Sequence, residues 1–209
     1  MKYVEIDPSL FFRRYGIYHI PAVEAIYKLR SRDIPVSYAA RLKCYNCGAF
    51  KRKLTCPPIF NWSVSSIKNI FRKNYDYVLV IVARSDGTVP WRKMDDREEA
   101  RMLEKKCGRG LKGVSMGLQT SMHDLMLKLR KILGKALYLI PGPCHRCRVC
   151  NIGGKCRKGI MLHSPEAFAI AVYRLLDELG VKYEVMPQKD VVAVSMIFYR
   201  KGFFSSKKG

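Results

Sequence analysis

The amino-acid sequence predicts an α/β or α+β fold, in which residues 1–209 form a single domain with a small mixed sheet and flanking helices. Three continuous runs of apolar, largely β-branched residues support this prediction, at residues 75–83, 136–140 and 191–199. Such runs are typical of strands that are buried on both faces. Segments with helical spacing of their apolar residues lie between the runs, so strands and helices share one chain.

The first third of the chain has weaker periodic signals. We expect a helix over residues 21–29, because its apolar side chains would share one face. Residues 34–60 have the composition of a loop-rich, cysteine-rich lobe. A short helix should follow this lobe, capped by Asn61 or Ser63 and ending near Lys73.

Two helices are predicted between the first and second apolar runs. The charged segment 95–106 favours one helix, and the glycines that follow it are expected to break the chain. A second helix should run to about Leu133, because its apolar residues recur at helical spacing. This apolar stripe consists of Leu118, Met122, Leu125, Met126, Leu129 and Ile132.

A further helix is predicted before the last apolar run. Ser164 is a typical N-cap residue, Pro165 suits the first helical position, and Glu166 supplies an acid in the first turn. The helix should end near Leu179. We expect His163, just before the cap, to lie on the surface.

The chain has 209 residues, of which 48% are hydrophobic, and a formal net charge of +22. A positive charge of this size favours acidic protein partners, nucleic acid or anionic membranes. No segment approaches the roughly 18–20 apolar residues of a membrane span. The first seven residues also lack the apolar region of a signal peptide. We therefore expect a cytoplasmic protein, with an acidic redox partner or RNA as its candidate partners.

Four cysteines lie in one short loop, residues 142–160. Cys144, Cys147 and Cys150 follow the pattern C-x2-C-x2-C, and Cys156 follows after five more residues. Each x2 gap lets the chain turn back and present the next sulfur to the same centre. The lack of a signal peptide argues against disulfides, so the spacing indicates thiolates on a metal, either zinc or an iron–sulfur cluster.

The continuous C-x2-C-x2-C run favours iron. Zinc sites usually separate two C-x2-C pairs, whereas bacterial ferredoxins hold a 4Fe-4S cluster with a continuous run. In ferredoxins, however, the fourth cysteine comes four residues later and precedes proline, while here the gap is six and Arg157 follows. The loop also contains basic residues that would offset the negative charge of a cluster. They are Arg146, Arg148, Lys155 and Arg157.

A second group consists of Cys44, Cys47 and Cys56, in the pattern C-x2-C-x8-C. Three thiols leave a fourth ligand to be supplied by Cys107, a histidine, water or a substrate. An open fourth position suits chemistry at the metal, and a distant protein ligand would make the site structural. The sequence leaves open which applies, and whether the two groups share one centre.

No nucleotide-binding motif is predicted. Residues 108–113 spell G-x-G-x-x-G, but they do not follow a strand as a dinucleotide site requires. There is no Walker sequence and no C-x3-C-x2-C. No residue is assigned as a catalytic acid or base.

The cysteine motifs resemble those of a family of small archaeal and anaerobic-bacterial proteins described only as predicted metal-binding proteins. That family carries C-x2-C-x8-C-P-P, then G-P-C-x2-C-x2-C, a C-R pair and a Ser-x-Glu-Ala helix start. The matching residues span about residues 40–200. They are Cys44, Cys47, Cys56-Pro57-Pro58, Gly142-Pro143-Cys144, Cys147, Cys150, Cys156-Arg157 and Ser164-Pro165-Glu166-Ala167.

The chain departs from this family at two positions, where His163 replaces a frequent proline and Ala171 a frequent aspartate. The resemblance implies metal binding, most simply an iron–sulfur centre in an anaerobic setting, and supplies no reaction.

Three functional hypotheses follow. The first is a cytoplasmic protein with one or two 4Fe-4S clusters for electron transfer or redox chemistry with a partner. In this hypothesis the four-cysteine loop holds one cluster, and the three-cysteine group holds a second cluster or a metal. The second is a zinc-stabilised, non-catalytic module for RNA or ribonucleoprotein, in which Phe50, Phe60 and Trp62 stack on bases. The third is an iron–sulfur enzyme with an open metal at the three-cysteine group.

Overall fold

The computed structural model describes residues 1–18, 22–86, 110–184 and 190–204. The strands are β1 (Tyr3–Ile6), β2 (Val23–Arg30), β3 (Tyr77–Asp86), β4 (Leu137–Leu139) and β5 (Asp190–Tyr199). The helices are α1 (Pro8–Arg14), α2 (Tyr38–Leu42), α3 (Val64–Asn74), α4 (Gly110–Leu133) and α5 (Val172–Glu178). Short 3-10 turns, Ser31–Asp33 and Lys43–Asn46, flank α2. The predicted charged helix at 95–106 and Cys107 lie outside the described residues.

The five strands form one sheet in the order β1-β2-β3-β5-β4, and every neighbouring pair is antiparallel. This arrangement confirms the α+β class. Parallel pairing is confined, within the described ranges, to an isolated bridge between Leu139 and His163 at the sheet edge, so the strands themselves do not form the mixed sheet that the sequence suggested.

Both faces of the sheet are covered, which explains the continuous apolar run in β3. Its odd-numbered residues from Leu79 to Ala83 face a core formed with α1 and α4. Its even-numbered residues from Val78 to Val82 face a second core formed with α3 and α5. All of these side chains are almost completely buried. A strand between two helical layers has no solvent side, and therefore no alternating polar residues.

The prediction of a helix over residues 21–29 is wrong, because β2 occupies residues 23–29 of this segment. Ile26 faces one core, while Ala25, Tyr27 and Leu29 face the other. The strand lies between β1 and β3 and pairs with both. Its apolar residues lie three positions apart, which is the spacing expected of a helix. The segment forms a strand, whose side chains alternate between the two faces of the sheet, because it pairs with a strand on each side.

The prediction for α3 is confirmed, with Ser63 as its cap: the Ser63 hydroxyl accepts a hydrogen bond from the amide of Ser66 at 3.0 Å. The predicted break around residues 108–113 is not observed from Gly110 onward, since α4 begins at Gly110 and continues through Gly113. Its predicted apolar stripe is buried against the sheet. In the described chain, no helix has both the length and the apolar character needed to cross a bilayer.

The helix expected from Ser164 begins later, at Val172. Ser164 does accept a hydrogen bond from the amide of Ala167, at 3.2 Å, as a cap would. However, Ala169 adopts a left-handed conformation with φ 55°, and Ile170 forms an antiparallel bridge with Val36. These two features divert the backbone before α5 begins.

Candidate metal centre

The four-cysteine loop leaves the sheet at the end of β4 and returns to the same edge. The amide of Ile140 donates to the carbonyl of His163 at 2.9 Å, and Leu139 pairs with His163 in the isolated bridge. Residues 141–162 are therefore a closed excursion whose two ends are fixed to one strand. The excursion contains turns and bends rather than helix or strand, so many backbone amides have no partner within a regular element.

The four cysteines of this loop line one small cavity of about 20 Å³. Cys144, Cys147, Cys150 and Cys156 are all partly buried. Lys53, Leu54 and Thr55, from the segment before Cys56, line the same cavity, together with Arg146, Ile160 and Met161. The loop therefore gathers its four thiols around one space, and the other cysteine segment closes that space from outside.

Two hydrogen bonds attach the segment before Cys56 to the four-cysteine loop. The Lys53 Nζ donates to the carbonyl of Cys147 at 2.9 Å. The amide of Leu54 donates to the Cys150 Sγ at 3.4 Å. An amide that donates to a cysteine sulfur stabilises negative charge on that sulfur and raises the potential of an iron–sulfur centre.

The three-cysteine group lies beside this loop and lines a second, larger cavity of about 350 Å³. Cys44 is in the 3-10 turn after α2, and its carbonyl accepts from the amide of Cys47 at 3.1 Å. Cys47 is exposed, Cys44 is partly buried and Cys56 is buried. The three thiols thus extend from the surface to the interior of one cavity wall.

Burial makes the thiols of Cys44 and Cys56 reluctant to ionise without a metal. It raises the pKa of Cys44 to about 12, with smaller contributions from Glu166 and from the other two thiols of the group. Burial also raises the pKa of Cys56, and repulsion from Cys47 and Cys144 adds to this effect. The hydrogen bonds of Lys53 and Leu54 to the four-cysteine loop show that the two cysteine groups are close. A bound cation would reverse the shift, because metal binding displaces the thiol protons.

The chemistry of these residues fits a thiolate-bound metal. The seven cysteines of the two groups are free thiols. The Arg146 Nη1, beside the four-cysteine cavity, is buried without a hydrogen-bond partner among the described residues, which suits a negatively charged centre. Across the described ranges, no three His, Cys, Asp or Glu side chains already form a ready-made ligand cluster. The thiols surround two adjoining cavities without forming a closed ligand shell.

A buried arginine near the three-cysteine group was not identified from sequence. Arg41 is only 4% exposed and lies one helical turn before Cys44. Its guanidinium donates to the carbonyl of Trp62 at 2.6 Å and to that of Ala167 at 3.2 Å. The charge of Arg41 lowers the pKa of Cys44, against the larger effect of burial. Nothing in the sequence distinguishes Arg41 among 39 lysines and arginines.

His163 is buried, so its predicted surface position is wrong. Its Nδ1 donates to the carbonyl of Thr55 at 3.1 Å, and its ring packs 4.3 Å from that of Phe60. Burial lowers the pKa of His163 to about 4, against a small opposing effect of the hydrogen bond to Thr55. Neutral His163 therefore connects the segment of Cys56 to the sheet edge from which the four-cysteine loop departs.

Glu166 and Lys43 also line the larger cavity, and sequence reasoning assigned neither to a site. Burial raises the pKa of Glu166, while hydrogen bonds from its own backbone and Ser164, and the charge of Lys43, oppose the rise. The Lys43 Nζ lies 3.3 Å from the centre of the Tyr173 ring. Burial lowers the pKa of Lys43, and Glu166 opposes that shift. The cavity therefore contains one acidic and one basic side chain.

Comparison with known proteins identifies one family. The family described as "Predicted metal-binding protein (DUF2284)" matches residues 27–199 of this chain, a range that includes both cysteine groups. No curated protein and no solved structure matches the chain.

Proposed function

The chain belongs to the DUF2284 family, described as predicted metal-binding proteins, and we propose that it is a cytoplasmic iron–sulfur protein that transfers electrons or performs redox chemistry with a partner protein. Cys144, Cys147, Cys150 and Cys156 hold one 4Fe-4S cluster. The three-cysteine group holds a second cluster or a single metal. The observation that carries the proposal is the shared cavity of the four cysteines, closed by an amide that donates to the Cys150 sulfur.

The cluster, when bound, supplies a one-electron redox couple. The protein supplies the surroundings that set its potential. Lys53 and Arg146 lie at the cavity and carry positive charge, which favours the reduced, more negative state. The Leu54 amide acts in the same direction through its hydrogen bond to Cys150. We therefore expect the four-cysteine cluster to have a higher potential than a cluster without such donors.

The surface around the four-cysteine loop suits a docked electron-transfer partner. Val149, Ile152 and Met161 are 71%, 44% and 49% exposed, on or next to the loop. Basic residues alternate with them along the chain. Exposed apolar side chains with basic neighbours in the sequence favour an acidic protein that approaches under electrostatic steering.

Metal and sulfide analysis of anaerobically purified protein tests this proposal. We expect about four or eight irons per chain with matching sulfide, since each cluster holds four of each. A visible absorption band should bleach on addition of dithionite. Zinc in a colourless protein would contradict the iron–sulfur proposal.

One observation favours the alternative of a zinc-stabilised RNA-binding module. Tyr38, Tyr45 and Trp62 are 58%, 52% and 46% exposed in and around the three-cysteine segment, which also carries several lysines and arginines. Exposed rings among basic side chains can stack on bases of single-stranded RNA. This alternative requires zinc, together with RNA binding that weakens steeply as salt rises.

The position of the larger cavity favours the third candidate, an enzyme with an open metal at the three-cysteine group. The cavity lies directly against all three thiols and has room for a small molecule. A metal that binds small molecules, detected as a spectral change on their addition, would support this candidate over a pure electron carrier.

A further inference from the structure

The larger cavity has the size of a small-molecule binding site. Its volume of about 350 Å³ falls in the range of about 300–1,000 Å³ that is typical of ligand pockets. It lies between the three-cysteine group and the β5 strand, and Gly142 and Pro143 at the start of the four-cysteine loop also line it. The cavity thus adjoins both cysteine groups.

Most of one wall is apolar. It is formed by α5, the segment after it and the first half of β5, and includes Val172, Leu176, Val192, Val194, Tyr173 and Tyr183. The rings of Tyr173 and Tyr183 stack, with 4.9 Å between their centres and 3° between their planes. A ligand with an apolar portion gains free energy by contact with this wall.

A basic and an acidic side chain, Lys43 and Glu166, also line the cavity, and the Lys43 Nζ lies against the Tyr173 ring of the apolar wall. Within the described residues, no ion pair includes either of them, although the charge of each affects the other. The Lys43 Nζ lies over the Tyr173 ring, and Glu166 accepts hydrogen bonds from Ser164 and its own backbone, so an oppositely charged ligand group would add an ion pair at each side chain. A second acid, Glu184, also lines the cavity and has an interaction partner of its own.

We propose that this cavity binds an α-amino acid with an apolar side chain. The ligand carboxylate pairs with the Lys43 Nζ, and the ligand ammonium donates to the Glu166 carboxyl. The side chain packs on the wall of α5 and β5. A zwitterion forms an ion pair with both side chains and adds no net charge beside the thiols, whereas a simple anion or cation would form an ion pair with only one of them.

This inference goes beyond the proposed function, because it assigns a ligand to a cavity that an electron carrier does not need. It requires no particular metal at the cysteines. Its failure and that of the iron–sulfur proposal are therefore separate results: iron and sulfide content reports on one, and ligand binding on the other.

Isothermal titration calorimetry on the full-length, metal-loaded protein tests the inference, with L-leucine, L-methionine and L-phenylalanine as probes. Two analogues each remove one charge of leucine: 4-methylpentanoate lacks the ammonium, and 3-methylbutylamine lacks the carboxylate. We expect at least one amino acid to bind, and each analogue of leucine to bind about tenfold more weakly than leucine or worse, the loss expected for one charge-assisted hydrogen bond.

Two variants assign each charge to its protein partner. In Lys43→Met, leucine and 3-methylbutylamine should bind with similar affinity, because the carboxylate has lost its partner. In Glu166→Gln, the preference for leucine over 4-methylpentanoate should fall about tenfold. Lys68→Met, an exposed lysine on α3, is the matched control and should leave all affinities unchanged. Metal content is measured in each variant, because Lys43 is adjacent to Cys44.

A third variant, Val192→Trp, should block the cavity and abolish binding without removal of either charge. The inference is overturned if none of the three amino acids binds, or if 4-methylpentanoate binds as tightly as leucine. It is also overturned if Lys43→Met, with its metal retained, behaves like Lys68→Met.

Discussion

The amide of Leu54 donates a hydrogen bond to the sulfur of Cys150, across 3.4 Å in space and 96 positions in sequence. This contact, with the bond from Lys53 to the Cys147 carbonyl, places the segment before Cys56 against the four-cysteine loop. The two cysteine groups are therefore neighbours, and the three-cysteine segment supplies part of the environment of the other site.

Removal of the Leu54 amide hydrogen should lower the reduction potential of the loop cluster. Leu54→Pro abolishes the donor to the Cys150 sulfur, whereas the control Leu54→Ala keeps it. A hydrogen bond of about 1 kcal/mol corresponds to about 40 mV for one electron. A redox titration followed by visible absorption measures the shift. Equal potentials in the proline and alanine variants, both with full iron content, would show that the bond has no such role.

Replacement of Arg41 should destabilise the protein, because its guanidinium joins α2 to two distant carbonyls. Arg41→Met removes the hydrogen bonds to Trp62 and Ala167 and leaves both acceptors without this donor. We expect a loss of about 2–3 kcal/mol in the free energy of unfolding, measured with urea. Arg32→Met is the control: its side chain is 65% exposed and pairs only loosely with Asp33, so the loss should stay below about 0.5 kcal/mol. Similar losses in both variants would contradict the assigned role of Arg41.

The Gly142 position should not tolerate a side chain. Gly142 has φ +70°, and an added Cβ would lie 2.5 Å from the Gln119 Oε1. Gly142→Ala should cost about 1–2 kcal/mol from the backbone conformation alone, since alanine disfavours the left-handed region. Gly153→Ala, in the same excursion, meets no atom within 4 Å and serves as the control. Urea unfolding of the two variants should separate them, and equal stability would refute the prediction.

Stability should fall in mild acid, partly because of His163. Its pKa in the folded protein is about 4, below the ordinary value of 6.5, so the unfolded chain binds a proton more readily in this range. The contribution of neutral His163 to the free energy of unfolding is fully present above about pH 6.5. It is lost as the pH falls towards 4, which lowers the free energy of unfolding by up to about 3 kcal/mol. His163→Gln should flatten this dependence in urea unfolding curves. Some slope should remain, because burial also lowers the pKa of His123. An unchanged slope would contradict the assignment.

Local pattern was sufficient for the elements that the sequence predicts correctly. β3 and β5 have a helical layer on each face, so the continuous apolar runs of their sequences correctly indicate buried strands. The strand β2 could not be found in this way, since its apolar spacing fits a helix and only pairing with β1 and β3 decides the period. The late start of α5 likewise depends on a tertiary contact, the bridge between Val36 and Ile170.

The candidate site likewise has features that local sequence predicts and features that depend on contacts between distant residues. Cysteine spacing within each group is local, so the sequence indicates both groups. Their closeness depends on contacts of Lys53 and Leu54 with residues more than 90 positions away. Burial of Arg41 and partial burial of Glu166 are equally products of the folded chain, because arginine and glutamate in sequence are expected at the surface.

The central claim is that the two cysteine groups hold separate centres and that the four-cysteine loop holds a 4Fe-4S cluster. The most direct measurement is iron and sulfide per chain in three anaerobically purified proteins. The first is the wild type. The second, the loop variant, has serine in place of Cys144, Cys147 and Cys150, and the third has serine in place of Cys44, Cys47 and Cys56. We predict that the loop variant loses about four irons and four sulfides, while the other variant retains the loop cluster. Zinc without sulfide in the wild type, or loss of all iron in both variants, would contradict the account.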